Sequence, residues 1–441
     1  MQGSVWGSIC CVVLMDKLGK LAYNNPALLY LYKGVVGTPP LQMVDDIMAI
    51  QKCSTMSLHM NVSINTFIEL EKLTLSKKKC HNVHIGKQNK ECPALKIHGS
   101  KMETSDRETY LGDVLDKTGK ARPNIEARKA KGYGIVSEIL AITNEIPLGH
   151  WKIEAGLKLR QAMLVNGILF NSEAWHGVST EDLIILEKVD EALLRGLLMA
   201  HSKIPLEALF LETNSIPIRI IVASRRLMYL HNILQKESHE MIRKVYEAQK
   251  LDTSPGDFCE MVSEDKALID LNMSEIEIES TKKERFKNIV KQKIRKASFQ
   301  YLSNLKANHS KMSGITYKTN EISSYLKSPL FNSVSRKLLL ALRTRTVEGL
   351  RADFKGMYPD TTCPLGCGQE DTLPNILTCS VLKLQHTSND ITGRNIKYED
   401  VFSHDVVTQK QVTELYSQLL DVRTKLMESQ PVALTGPVHC S

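Results

Sequence analysis

The chain has 441 residues and 49.6 kDa, with 42% hydrophobic and 24% charged residues. These values exclude a disordered polypeptide and leave room for about two to four domains. A formal net charge of +8, from 57 Lys+Arg against 49 Asp+Glu, is compatible with a nucleic-acid partner without requiring one. No apolar run reaches the roughly 20 residues of a membrane span. No basic region precedes the apolar stretch Ile9–Met15, so a signal peptide is not expected. The ten cysteines are scattered apart from one cluster, which predicts reduced thiols in the cytosol or nucleus.

In chain order, Val5 to Leu18 and a stretch within Asn61 to Leu73 carry helical spacing. Leu41 to Val44 and Ile47 to Ile50 are short apolar runs around two aspartates. His81 to Ile85, Ala94 to His98 and Thr109 to Leu115 are further strand candidates, the last closed by the turn residues Asp116 to Gly119. Long helices follow: Ile125 to Glu145, Lys152 to Trp175, and Ser179 to about Met199, which Ser179 caps ahead of the acidic pair Glu181 and Asp182. Pro205 opens a short helix, and Pro217 to Gln235 is another. Asp252 to Asp257 reads as a linker. Ser274 to Leu305 is a helix with a basic centre, Ser335 to Phe354 a second basic helix, and a cysteine cluster and polar tail close the chain.

Asp45-Asp46 is the feature with the most chemistry. Alternation along flanking strands would bury Met43 and Ile47 and hold both acids outward at a hairpin tip. Adjacent carboxylates at a rigid tip suit hard divalent cations, as nucleotidyl transfer by two Mg²⁺ ions requires. Taken alone, the pair is better described as a turn with two solvated aspartates, and Lys77-Lys78-Lys79 as a solvated face.

The surroundings of this pair resemble the motif series of non-LTR-retrotransposon (LINE-type) reverse transcriptases. Gln2-Gly3-Ser4-Val5-Trp6-Gly7-Ser8 is similar to the family's Gln-Gly loop, Pro40 to Asp46 to its catalytic hairpin, Leu75 to Cys80 followed by Val83 to Gly86 to the next motif, and Tyr110-Leu111-Gly112 to its primer grip. The motifs stand in the family's order. The resemblance implies an α+β fold: a partial reverse-transcriptase palm (antiparallel sheet with helices) over 1–120, a helical thumb over 121–250, a basic helical region over 251–355, a small Cys-rich knuckle over 356–390 and a tail over 391–441. It implies RNA-directed DNA polymerase ancestry, with Asp45 and Asp46 as Mg²⁺ ligands and Lys79 as general acid to the pyrophosphate. Gln2 and Gly3 would contact the nucleotide, and Tyr110, Leu111 and Gly112 would grip the primer. The implied partners are an RNA template, a DNA primer and dNTP, without a membrane. In the family the first catalytic aspartate precedes the Gln-Gly loop, where this sequence begins. The resemblance therefore implies an incomplete metal site and a weak or inactive polymerase. The alternative is a non-catalytic nucleic-acid-binding remnant.

Cys363-Pro-Leu-Gly-Cys367 and Cys379 resemble a zinc knuckle, which needs a fourth ligand. The family pattern places histidine where this chain has Asn375, and His386 is a substitute at unusual spacing. Lys282, Lys283, Arg285, Lys287, Lys291, Lys293, Arg295 and Lys296 face one acid, Glu284, and predict contacts with a phosphate backbone. Their alternative reading is a solvated helix face. Arg219, Arg225 and Arg226 form a second basic candidate, and Lys158 and Arg160 are thumb contacts by resemblance.

Overall fold

The computed structural model describes residues 17, 18, 20, 29–34, 36–38, 40–43, 46–86, 94–147, 149–312, 315–354, 357–382 and 396–429. Over these the protein is mixed α+β, mainly helical, with small sheets. It divides into two compact units. The first gathers Met1–Ala130, Leu169–Leu186 and Arg219–Lys293, and the second Lys131–Ile168, Glu187–Ile218 and Ile294–Ser441.

The strands are β1 (Tyr30–Tyr32), β2 (Val36–Thr38), β3 (Leu41–Met43), β4 (Asp46–Met48), β5 (His81–Val83), β6 (Lys96–Ile97), β7 (Ser100–Lys101), β8 (Glu103–Ser105), β9 (Arg107–Tyr110) and β10 (Asp113–Asp116). The expected antiparallel sheet is not continuous among the described residues. The strands form five two-stranded ladders, and β5 runs parallel to β8. The strands have two to four residues each, and Gly99 and Gly112 take positive φ in the turns between β6 and β7 and between β9 and β10, so each ladder holds only a few residue pairs. Thr109 to Leu115, expected as one strand, is the β9–β10 hairpin. Leu111 and Gly112 both take positive φ, +48° and +85°, the geometry of a type I′ turn.

The helices of six or more residues are α1 (Ser54–Leu70), α2 (Arg122–Asn144), α3 (Gly149–Leu159), α4 (Thr180–Leu198), α5 (Leu206–Thr213), α6 (Ile218–Leu234), α7 (Met241–Leu251), α8 (Phe258–Leu268), α9 (Glu275–Ser280), α10 (Lys283–Ala307), α11 (Ser333–Arg343), α12 (Leu373–Thr378) and α13 (Val406–Ser429). Four differ from the sequence expectation. Lys152 to Trp175 is α3 followed by a π-helical turn, Arg160–Val165, and helix ends at Ile168. Ser274 to Leu305 is two helices, because Thr281 is extended between α9 and α10 and its carbonyl is bound by His231 Nε2 at 2.8 Å. Ser335 to Phe354 ends as an α-helix at Arg343. The expected polar tail contains the 24-residue α13, whose Val412, Tyr416 and Leu419 are buried.

In the first unit, Phe67 and Ile68 of α1 pack with Leu18 against Ile47, Ile64, Leu73 and Leu75. Phe258 meets Tyr229 and Tyr246 edge-on, and His231 stacks on Phe286 at 5.0 Å. Asp252 to Asp257, expected as a linker, is a capped turn: Asp257 accepts from the Ser254 amide at 2.8 Å and pairs with Lys33 at 2.9 Å. In the second unit a single apolar cluster runs from Ile153 and Leu194 through Phe210 and Leu340 to Tyr416. Within it Arg343 is 2% exposed and pairs with the fully buried Glu212 at 2.8 Å. Such a pair is tolerated because Tyr317 also donates to the same carboxylate, at 3.2 Å.

Candidate nucleic-acid interface and metal centre

In the β3–β4 pair Asp46 and Ile47 take opposite faces, while the register sets position 43 opposite Asp46 rather than on the face of Ile47, where the alternation placed it. Ile47 turns to Phe67 and Ile68 beneath, and Asp46 is exposed. Asp45, Gln2 and Gly3 lie outside the described residues, as does His386. No group of three His, Cys, Asp or Glu gathers around Asp46 among the described residues. Lys79 is exposed at the end of a 3₁₀ turn, Lys77–Lys79, two residues before β5.

Tyr110, Leu111 and Gly112 form the tip of the β9–β10 hairpin. Burial and, after it, the Asp46 carboxylate raise the Tyr110 hydroxyl above its ordinary pKa. Asp46 is thus within electrostatic reach of the other hairpin's tip. The tip is fastened through a residue that the sequence did not single out. Asp113 Oδ1 accepts from Arg128 at 2.8 Å, Asn124 at 3.1 Å and Trp175 at 3.3 Å, while Oδ2 accepts from Asn171 at 2.8 Å. Arg128 also donates to the Gly112 carbonyl at 2.6 Å. A carboxylate with four donors and a buried guanidinium is fixed in place. The signal available in the sequence was a lone aspartate directly after a glycine.

The basic helix α10 buries Phe286 and Val290 and exposes most of its cations. Lys287 pairs with Glu284 at 3.6 Å and Lys293 with Asp270 at 3.0 Å. Lys282, Lys283, Arg285, Lys291, Arg295 and Lys296 are exposed with no acidic partner among the described residues. Other basic candidates are otherwise engaged. Arg226 is buried on Asp265 at 2.9 Å, and Arg225 is half-buried and donates to the Leu169 carbonyl. Arg160 is buried on Asp190 and the Ile216 carbonyl. Lys158 is exposed and pairs with Glu154 at 2.9 Å. Arg160 and Arg226 therefore hold helices together rather than facing a ligand.

The thiol sulfurs of Cys363, Cys367 and Cys379 all lie within 4.8 Å of one another. A tight loop presents the first two. The Gly366 amide donates to the Cys363 carbonyl at 3.0 Å, Cys363 N–H to Gln369 at 2.7 Å, and Gly366 and Gly368 take positive φ. Helix α12, capped by Thr372, delivers Asn375 and Cys379. Asn375 Nδ2 donates to Cys367 Sγ at 3.5 Å. Burial pushes the Cys363 thiol up to about 11. Burial also acts on Cys367, but hydrogen bonds from Asn375 and the Gln369 backbone pull it below its ordinary value. Three soft sulfurs can hold a metal ion such as zinc, while an asparagine amide is a poor fourth ligand. The loop is anchored in the core: Tyr416 donates to the Leu373 carbonyl at 3.0 Å, and buried Asp371 pairs with Arg423 at 2.7 Å.

No helix among the described residues is long and apolar enough to cross a membrane. No family model, curated protein or solved structure matches the chain.

Proposed function

We propose that the chain is a reverse-transcriptase-type nucleic-acid-binding protein, similar to the palm and thumb of LINE-type retrotransposon enzymes, that engages an RNA template and a DNA primer. The observation that supports this reading is the exposed Asp46 on the β3–β4 pair, with Tyr110 at the β9–β10 turn inside its electrostatic reach. The resemblance links these two positions, one as metal ligand and one as primer grip, and they stand on two separate hairpins within electrostatic reach of each other. In this reading Asp45 and Asp46 hold Mg²⁺, Lys79 faces the triphosphate, and Gln2 and Gly3 face the incoming dNTP. When bound, Mg²⁺ supplies Lewis-acid activation of the primer 3′-hydroxyl and charge neutralisation on the triphosphate.

A second reading, nucleic-acid binding without polymerisation, draws support from two observations. Among the described residues no third acidic group joins Asp46, and Lys282 and five cations of α10 have no acidic partner. Primer extension on an RNA template, run beside anisotropy with the same duplex, separates the readings. Mg²⁺-dependent incorporation that disappears in Asp45→Ala/Asp46→Ala supports the polymerase. Equal binding with no incorporation by either protein supports the second reading. Absence of binding at 50 mM salt, about the lower end of the range where phosphate contacts are strongest, overturns both.

A further inference from the structure

The second unit contains a cleft of about 110 Å³ that no motif pointed to. Its lining is mixed, and Phe299, half-buried, and Leu302 of α10 contribute to the apolar part. Its rim carries two exposed cations, Arg295 and Lys318. Asn214, just past the end of α5, and the buried Ser298 add polar groups to the wall. Arg295 has no acidic partner among the described residues, and Lys318 reaches only Glu321, at 4.0 Å between two exposed side chains. Two weakly paired cations on the wall of a cleft of mixed polar and apolar lining leave room for an anion beside a small flat group. The orientation follows from α5. Its C-terminal end carries the negative end of the helix dipole, so it repels a phosphate and accommodates a neutral group with hydrogen-bonding edges. Asn214 supplies both a donor and an acceptor for such an edge.

We propose that this cleft binds a single unstacked nucleotide of a single-stranded nucleic acid, with the base on Phe299 and its phosphate between Arg295 and Lys318. Base-on-aromatic stacking beside a cationic track is how sequence-tolerant single-strand binding is achieved. A duplex, whose bases are stacked on each other, cannot use the cleft. The proposal rests on the nucleic-acid-binding reading above, and narrows it to one contact on unpaired strands.

The test uses the full chain and single-stranded 12-mers, RNA and DNA, carrying 2-aminopurine at the centre. Blunt duplexes of the same length serve as the comparison. The expected result is a 2-aminopurine fluorescence change on binding that Phe299→Leu abolishes, with single-strand affinity at least fivefold weaker and duplex affinity within twofold. Arg295→Gln/Lys318→Gln, which alters only exposed side chains, is expected to weaken single-strand binding at least tenfold. It keeps the test valid if Phe299→Leu unfolds on a thermal melt. RNA and DNA arms that differ identify which strand the cleft serves. Unchanged affinity in the double variant overturns the cleft and leaves the broader reading standing. If the wild-type chain binds no oligonucleotide, that reading falls and the cleft is judged by photolabelling with 8-azido-AMP. Label in the 297–306 peptide retains it, and label elsewhere or nowhere overturns it.

Discussion

Asn375 donates its side-chain amide to Cys367 Sγ at 3.5 Å, and so stands beside three clustered thiols where a tetrahedral knuckle would place its fourth ligand. The α12 turn that delivers Asn375 also delivers Cys379, through the Cys379 amide bonded to the Asn375 carbonyl at 2.7 Å. A side chain at position 375 therefore stands beside the three thiols, and an imidazole there would offer the ligating nitrogen that the amide lacks. Asn375→His should raise zinc affinity at least tenfold, about 1.4 kcal/mol, read by competition with a zinc chelator. Cys379→Ser should abolish binding in both backgrounds. An unchanged affinity in Asn375→His would mean that another group already completes the site.

The parts of this site that were legible in the sequence are those whose chemistry is local. Asp46 stands beside Ile47, and one residue of alternation is enough to send one out to solvent and the other onto Phe67. Cys363 and Cys367 share a Gly-containing loop. What was not legible depends on distant partners. Leu111, an unusual residue for positive φ, hid the β9–β10 turn. The break at Thr281 is stabilised by His231, 50 positions away. Helix α13 read as a polar tail because its inward face includes Gln409, Thr413 and Arg423 as well as apolar residues, and Arg423 finds its partners, Asp371 and the Gly349 carbonyl, far away in sequence. Arg160 and Arg226 looked available because their acidic partners, Asp190 and Asp265, are remote in sequence.

The four donors on Asp113 make it the fastening of the Tyr110–Gly112 tip. Asp113→Ala leaves the Arg128 guanidinium, 5% exposed, without its counter-ion. It should cost about 3 kcal/mol of stability, the scale on which breaking a buried pair acts. Asp113→Asn, whose amide oxygen at the Oδ1 position keeps three of the four acceptor contacts, should cost less. Urea denaturation of the three proteins checks the order. Equal midpoints would show that the hairpin does not depend on this residue.

Burial, ahead of the opposing attraction of Lys311 and Arg345, pushes the Asp353 carboxyl up to about 7. Its folded pKa lies above the unfolded value of about 3.9, so between these two pH values the folded state holds the extra proton. This contribution to stability is complete below about pH 4 and is lost as pH rises to about 7. Its size is about 2 kcal/mol once solvent screening of a part-exposed group is allowed for. Asp353→Asn removes the titration, so its stability difference from wild type should favour the variant increasingly from pH 4.5 to 7.5. A difference that is flat with pH, measured by urea midpoints in matched buffers, would contradict the assignment.

The unpaired cations of α10 lead to a prediction about salt. A cation already held by a carboxylate gains little from a phosphate, because it must first give up its partner. Lys293 on Asp270 and Lys287 on Glu284 should therefore add little to binding, whereas Lys283, Lys291 and Lys296 each displace a counterion when they meet a strand. Each such contact contributes about 0.7 to the slope of log affinity against log salt on single strands. Lys283→Gln/Lys291→Gln/Lys296→Gln should flatten that slope by about 2, whereas Lys293→Gln should leave it nearly unchanged and act on stability through Asp270. Anisotropy titrations between low and moderate salt measure both. Equal slopes for the triple variant and the wild type would reduce α10 to a solvated helix and move the search for the binding surface elsewhere on the protein.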